Sequence, residues 1–402
     1  MVRDYPMRKL LSAPVKMGLS ENENTLYQQA LALAADISLN LMAVKVEERP
    51  EDFASWCYEL HRLCRDKLNY DLLDVELLPT VKKLQTVLEK GVSVSQLKML
   101  RITPWPFFAD YVNKRAECVA LPERLRLLNY VSSIKHTPLN ELTELDRLVM
   151  AGKHSADHDP GVFDFDNEWF AGTKGARAFH QLFEQRSSDF AQALNHIPLE
   201  GEVNFEHYRQ FMDAYKAIFT TDIDGQPSND KPQLLPATRL LTMRRPDQFV
   251  TLSNQKMDML CQSLGCSKLN NLDFQGYWSE VIETIRACSW WSQSEPEDEA
   301  EKQLWQVRVA LIDLFFFADE HSPSGSNYLK LKDKIANGRK TKSSSSTARK
   351  RSKESAEQIV DRRLEDPELP AYMKGRRDSL VHEVKNGKSV DEAITLFRAI
   401  FG

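Results

Sequence analysis

Glycine and cysteine are both scarce in this 402-residue sequence, which has 15 of the first and six of the second. None of the glycines forms a GxxxxGK(S/T) or GxGxxG phosphate loop, and no serine stands in a GxSxG nucleophile elbow. These absences argue against a nucleotide-dependent α/β enzyme, and we expect no cofactor. Six cysteines are too few for a disulfide framework, which favours free thiols and a reducing, cytoplasmic location.

Long apolar runs are also missing. The two longest, LALAADISLNLMAV and VALIDLFFFA, are interrupted by Asp36 and Asp313 and fall short of the ~20 residues that a membrane helix needs. The first twenty residues contain basic side chains but no sustained apolar core, so they do not predict a secretory signal. We therefore expect no membrane partner.

Alternating apolar and polar runs, typical of strands, are short and isolated, whereas apolar residues recur at spacings of three or four along most of the chain. This pattern predicts an all-α protein, and the length predicts several domains. Three pairs of residues match the capping box that opens a helix, in which a serine hydroxyl and an acidic or amide side chain three residues later satisfy early amides. They are Ser20 with Glu23, Ser93 with Gln96, and Ser389 with Glu392.

Composition divides the chain into four predicted segments. Residues 1–152 and 153–329 are expected to form an N-terminal and a central helical domain, separated by a polar stretch with a Pro-Gly pair. Residues 330–354 form a basic, serine-rich linker. Residues 355–402 are long enough only for a small module of short helices.

The basic linker contrasts in charge with the rest of the chain. Residues 330–353 hold ten lysines and arginines against one acid, Asp333, for a net charge of +9. Because the whole chain carries −5, residues 1–329 carry −12. This segment contains so few apolar side chains that we expect it to be disordered. Two interpretations stay open: an arm that releases counterions from a phosphate backbone, or a solubilising tether.

Residues 234–265 are the most patterned stretch of the chain. A helix predicted from Pro236 carries three arginines, Pro246 ends it, a Pro-Asp-Gln-Phe-Val segment follows, and a second helix ends in Leu-Gly at Gly265. This order resembles the second half of the helix-hairpin-helix segment of DNA glycosylases. The arrangement also resembles uncharacterised proteins from bacterial restriction and phage-defence neighbourhoods.

The resemblance implies a nucleic-acid partner, with DNA favoured, and a role in bacterial antiviral defence. The chain lacks that family's glycine-rich hairpin and has Thr251, Leu252 and Ser253 where the catalytic aspartate would stand, which favours a non-catalytic binding subunit. The alternative for the helix arginines is a solvated helix end, where cations are favourable. The candidate phosphate-contacting residues are Arg239, Arg244, Arg245, Lys256, Arg339, Lys340, Lys342, Arg349, Lys350, Arg351, Lys353, Arg376 and Arg377.

A DNA-processing enzyme, either glycosylase-like or a metal-dependent nuclease, is the second hypothesis, although the sequence holds no complete catalytic motif. Its candidate metal ligands are His154, Asp157 and His158, which lie in an acidic stretch. Imidazole and carboxylate suit Zn, Mn or Fe, and such an ion could activate water. Histidines beside acids are also common on solvated surfaces, so we expect no metal site here.

A second set of possible metal ligands, Cys57, His61 and Cys64, shares one face of a predicted helix. No fourth ligand is near them in the sequence. Free cysteine is among the most buried residue types, so this spacing favours a buried helix face over a zinc site.

A protein-interaction adaptor is the third hypothesis. The module of residues 355–402 could dock on a protein partner while the linker tethers it. The adjacent Trp290 and Trp291 cannot both face a core from one helix, so one of them is a candidate contact for a partner.

Overall fold

Helices make up nearly all the regular structure in the part of the chain that the structure describes. The computed structural model describes residues 5–6, 11, 14, 18–37, 45–46, 50–68, 73–153, 155, 157–159, 162, 169–220, 231–254, 256–316, 355–366, 369–385 and 388–401. Within these ranges the only strands are two-residue segments, Tyr5–Pro6 and Lys45–Val46, which pair antiparallel with Tyr5 opposite Val46. The predicted all-α class is therefore confirmed.

The chain divides into two compact units. Unit 1 comprises Met1–Gly91 and Ala318–Gly402, and unit 2 comprises Val92–Phe317. The described helices of unit 1 are α1 (Glu21–Asp36), α2 (Phe53–Asp66), a 3-10 turn (Val75–Leu77), the first part of α3 (Leu78–Leu100), α16 (Ala356–Leu364), α17 (Ala371–Lys374), α18 (Arg377–Lys385) and α19 (Val390–Phe401).

Unit 2 contains the rest of α3 and the helices between it and residue 317. They are α4 (Trp105–Lys114), α5 (Ala116–Val119), α6 (Leu121–Ile134), α7 (Glu144–Ala151), α8 (Arg177–Gln185), α9 (Ser187–Asn195), α10 (Phe205–Thr220), α11 (Leu234–Arg244), α12 (Met257–Leu264), α13 (Phe274–Gly276), α14 (Glu283–Arg286) and α15 (Glu299–Trp305). A π-helical segment, Tyr277–Ile282, joins α13 to α14, and a 3-10 helix spans Ala310–Phe315. No helix in the described ranges is both long and apolar enough to cross a bilayer.

The capping boxes account for two of the three helix starts assigned to them. Ser20 and Glu23 cap α1 reciprocally, and Ser389 and Glu392 exchange the same two hydrogen bonds before α19. The predicted start at Ser93 is wrong, because α3 runs without a break through it. Gly91 lets α3 approach α2 closely, since a Cβ there would lie 2.5 Å from the Cys57 Sγ.

The apolar face of α2 is buried as predicted. Cys57, His61 and Cys64 are each no more than 2% exposed, and burial raises the pKa of the Cys64 thiol to about 12. The ring of His61 lies 3.5 Å from a carboxylate oxygen of Glu89 on α3. This helix face is a core contact.

Helix α11 is deeply buried in unit 2, with nine of its eleven residues shielded from solvent. It packs against α7 and α6. The predicted domain boundary between residues 152 and 153 thus lies inside unit 2, because α7 and α11 come from its two sides. The division observed at residues 91 and 317 is one that composition did not suggest.

The C-terminal helices belong to unit 1. Helices α16, α18 and α19 pack together, and α19 also packs against α2. The predicted module at residues 355–402 therefore shares a unit with the N-terminal helices. The predicted linker at residues 330–354 lies outside the described residues.

Candidate anion-binding cleft

The turn Arg244–Gln248 forms one wall of a cleft of about 790 Å³ in unit 2. Helix α11 ends at Arg244 because Pro246 cannot continue it, and the amides of Gln248 and Phe249 then bond to the Arg245 carbonyl. The other walls come from α6, from Leu199–Glu202 and from the chain around Trp291 and Trp305–Arg308. The sequence thus brings two consecutive arginines to the edge of a cavity.

Arg245 is the compensated cation of the cleft. It is 5% exposed, and its Nε and Nη2 donate to the two oxygens of Asp247, each at 2.8 Å. Its guanidinium also donates to the carbonyls of Pro198 at 2.7 Å and Gly201 at 2.6 Å. Burial acts to raise the pKa of Asp247, but the adjacent Arg245 guanidinium and Gln248 amide lower it below its usual value.

Arg244 has much less compensation. It is half-buried, and its one hydrogen bond runs from Nε to the Ile197 carbonyl at 3.2 Å. It forms no ion pair with any described residue. Burial and the neighbouring Arg245 charge lower its pKa to about 10, so it stays protonated at neutral pH. Its charge is therefore free to attract an anion.

Arg308 lies between two tryptophan rings, with its guanidinium carbon 4.2 Å from the Trp305 centroid and 5.0 Å from the Trp291 centroid. Its Nη1 donates to the Trp305 carbonyl at 2.9 Å, and its buried Nε has no hydrogen-bond partner among the described residues. Burial lowers the pKa of Arg308, the charges of Asp247 and Glu295 oppose that shift, and the Arg245 charge adds to it. No described carboxylate forms an ion pair with Arg308.

Charge in the cleft is divided by depth. Arg245 and Arg308 are buried, and the half-buried Asp247 pairs with Arg245, whereas the other three acids that line the cleft, Glu200, Glu202 and Glu295, are exposed. Arg244, Arg245 and Arg308 line the same cleft. Planar guanidinium groups such as those of Arg244 and Arg308, which form no ion pair with a described residue, suit bidentate contacts to phosphate or carboxylate oxygens. The cleft can therefore hold an anion at its inner wall.

Arg239, the third arginine predicted on this helix, does not line the cleft. Arg239 is 0% exposed and donates to the carbonyls of Trp169, Phe170 and Val149, with 3.1 Å to Phe170 and 2.9 Å to Val149. It is neither in the cleft nor at a solvated helix end. Apolar neighbours on every side of α11 are the reason, since they leave no face of the helix for solvent.

Lys256 also has an internal partner. Its Nζ lies 2.6 Å from Asp313 and 4.7 Å from the centre of the Phe316 ring. Burial lowers its pKa, and the Asp313 carboxylate opposes that shift.

In unit 1, Arg376 is half-buried and Arg377 pairs with Asp361 at 2.5 and 2.8 Å. The seven candidates from Arg339 to Lys353 lie outside the described residues.

The metal hypothesis gains no support from the described ligands. His154 is outside the described residues. His158 is buried, its Nε2 lies 3.0 Å from the Leu145 carbonyl and its Nδ1 3.0 Å from that of Ser155, while the exposed Asp157 accepts from the Ser155 hydroxyl. Among described residues no group of three or more His, Cys, Asp or Glu could hold a metal ion.

The two adjacent tryptophans differ in burial, as the sequence predicts. Trp290 is 0% exposed, so its ring is in the core, 5.2 Å from that of Phe108. Trp291 is half-buried and lines the cleft. Sequence reasoning found Arg244, Arg245 and Trp291 but missed Arg308, although a lone arginine inside the apolar run LWQVRVALIDL indicates a buried cation.

The resemblance of residues 234–265 to a helix-hairpin-helix segment stays a prediction. The structure forms the two predicted helices, α11 and α12, with the Pro-Asp-Gln-Phe-Val segment between them. Gly265 ends α12 with a φ of 70°, as a C-terminal glycine should. In comparisons with known proteins, no protein-family model, no curated protein and no solved structure matches the chain.

Proposed function

We propose that the protein is a non-catalytic nucleic-acid-binding protein, with DNA as the favoured partner. The observation that carries the proposal is the pair of guanidinium groups, Arg244 and Arg308, that line one cleft without an ion-pair partner among the described residues. Arginine is well suited to phosphate because its fork matches two phosphate oxygens. The basic segment 330–353, with its charge of +9, supports the same partner through counterion release.

The two elements have different expected roles. The segment supplies charge without a fixed geometry, so it is expected to contribute affinity that depends steeply on salt. The cleft holds its cations in place by hydrogen bonds and ring contacts, so it is expected to contribute positioning on the phosphate backbone. A role in phage defence follows only from the sequence resemblance and is kept as an expectation.

Binding of labelled duplex and single-stranded DNA at two salt concentrations tests the proposal. In the first variant all ten lysines and arginines of residues 330–353 become glutamine, which keeps the length of the segment. The DNA affinity of this variant is expected to lose most of its salt dependence. The slope of log affinity against log salt concentration on duplex DNA becomes less steep by about 0.9 for each phosphate that the protein no longer neutralises. Arg244→Gln is expected to weaken binding about five- to tenfold, a change of about 1 kcal/mol.

Arg209→Gln is the matched control for Arg244→Gln, because Arg209 is exposed on α10 and pairs with Glu206. Its binding should equal that of the unmodified protein. Absence of DNA binding at low salt, or equal binding by all variants, contradicts the proposal. Strand cleavage or base release would favour the DNA-processing enzyme, and a stoichiometric protein partner without nucleic acid would favour the adaptor.

A further inference from the structure

A second cavity of unit 2, about 280 Å³ in volume, lies where the end of α7 meets the start of α8. Gly152 ends α7 with a φ of 76°. Thr173 then fastens the two helices, since its amide donates to the Gly152 carbonyl at 2.8 Å and its hydroxyl to the Ala151 carbonyl. The amide of Ala176 returns to the Thr173 carbonyl at 2.7 Å. These backbone contacts hold the cavity open before any ligand arrives.

Positive charge dominates the lining of this cavity. Arg147, Lys153, Lys174 and Arg177 line it against two acids, Glu144 and Glu184. None of the four cations forms an ion pair with a described residue, and Arg147 donates its hydrogen bond to the Leu142 carbonyl. The lining thus has a positive excess of two charges, which suits an anion.

His180 adds a titratable donor to the cavity. Its Nε2 lies 2.9 Å from the Thr173 hydroxyl and 3.1 Å from the Thr173 carbonyl. The carbonyl can only accept and the hydroxyl already donates to the Ala151 carbonyl, so we assign the proton of the neutral ring to Nε2. Its Nδ1 has no partner among the described residues. Burial lowers the pKa of His180, the Thr173 carbonyl opposes this, and the Lys153 charge lowers the pKa further. Burial and the Lys153 charge thus favour the neutral ring, whereas an anion in the cavity favours the protonated one.

We propose that this cavity, the phosphate pocket, binds a small dianion of the phosphate type, either free or as the terminal group of a low-molecular-weight phosphomonoester. Lys174 and Arg177 supply exposed charge, and Lys153 supplies charge beside the histidine. His180 Nδ1 takes a proton from solvent and donates it in a hydrogen bond to the anion. The cavity volume excludes a folded polymer but accepts a phosphate with a small substituent.

The pH dependence follows from all charged groups that line the pocket. Besides His180, the charged groups that line the pocket are four cations and two acids, namely Arg147, Lys153, Lys174, Arg177, Glu144 and Glu184. His180 is the group whose charge changes. Anion affinity is expected to increase as pH falls through the pKa of His180 and to level off below it. Bound anion raises that pKa by the same linkage.

The first test is NMR of the full chain with labelled histidine, in which the signal of His180 among nine histidines is assigned by His180→Gln. Sulfate is the primary probe, because it remains a dianion over the whole titration and leaves His180 as the titrating group. Inorganic phosphate and ribose 5-phosphate are the second and third probes. Each is expected to shift the His180 signal and raise its apparent pKa at constant ionic strength.

Charge reversal provides the second test. Lys174→Glu and Arg177→Glu are each expected to weaken sulfate binding about tenfold or more. Lys268→Glu changes the net charge equally at an exposed site paired with Asp258, so it should leave sulfate binding unaltered. An unshifted His180 signal in the unmodified protein, or equal weakening by Lys268→Glu, overturns the proposal. A shift of the His180 signal that an oligonucleotide produces but sulfate, inorganic phosphate and ribose 5-phosphate do not also overturns it. None of these results depends on DNA binding at the cleft.

Discussion

Replacement of Arg239 by methionine is expected to lower the free energy of unfolding by about 3–5 kcal/mol. The guanidinium donates to three buried carbonyls, those of Val149, Trp169 and Phe170. Methionine fills a similar volume but cannot donate. The Val149 carbonyl keeps the Gly152 amide as a donor, whereas the Trp169 and Phe170 carbonyls lose the Arg239 donor, and each buried acceptor left without a donor costs about 1–3 kcal/mol. The variant no longer buries a charge, which offsets part of that cost.

The backbone around these acceptors makes the site sensitive. Phe170 and Ala171 both have a φ of 61°, a left-handed conformation that costs non-glycine residues about 1 kcal/mol or more each. Arg239 holds the carbonyl at the start of this turn. Gly152 lies close to the same side chain, since a Cβ added at Gly152 would be 3.3 Å from the Arg239 Cγ. The arginine thus joins three segments that are distant in sequence.

Urea unfolding followed by circular dichroism measures this effect. Arg209→Met is the control, since that arginine is exposed on α10 and should alter stability by no more than about 0.5 kcal/mol. If the two variants have the same stability, the Arg239 guanidinium does not hold the interior together. It would then become available for a ligand, as the sequence first suggested.

Local sequence signals predicted the elements of this fold well because they act within one helix turn. The Ser20–Glu23 and Ser389–Glu392 pairs cap helices, and the spacing of three or four residues seen along the chain is that of the buried Tyr208, Phe211 and Tyr215 in α10. Ser93 failed because the same serine spacing is also compatible with the interior of a helix, and Ser93 is buried within α3. Burial of this kind depends on contacts between residues far apart in the chain.

The candidate sites depended even more on tertiary contacts. Arg239, Arg244 and Arg245 look alike in the sequence, yet one is a core donor, one is uncompensated and one is paired with Asp247. The carbonyls that surround them come from segments 44 to 90 residues away. Periodicity gives no information about such partners. The phosphate pocket escaped notice for the same reason, because its cations are spread over residues 147–177 and no motif links them.

The second large effect concerns Asp313, the buried acid of unit 2. Its carboxylate is 6% exposed and accepts from Arg124 at 2.7 Å and from Lys256 at 2.6 Å. The Arg124 guanidinium also stacks on Trp169 and Phe170, at 5.2 and 5.1 Å from their ring centres. Asp313→Asn leaves two cations without their anion, so the free energy of unfolding at pH 7 is expected to fall by about 3–5 kcal/mol.

The pH dependence of this loss distinguishes a charge effect from a packing effect. Burial alone would raise the pKa of Asp313, but Lys256 and Arg124 lower it to about 2. A carboxyl whose folded pKa lies below its unfolded pKa of about 3.9 stabilises the fold above pH 4, and this contribution is lost as pH falls through about 2. The difference between Asp313→Asn and the unmodified protein should therefore shrink by about 1 kcal/mol between pH 6 and pH 3. Asp213→Asn, at an exposed carboxylate of α10, should show neither the loss nor the pH dependence. A difference that stays constant with pH would mean that Asp313 acts through its shape and hydrogen bonds, and that its charge is not what holds Arg124 and Lys256.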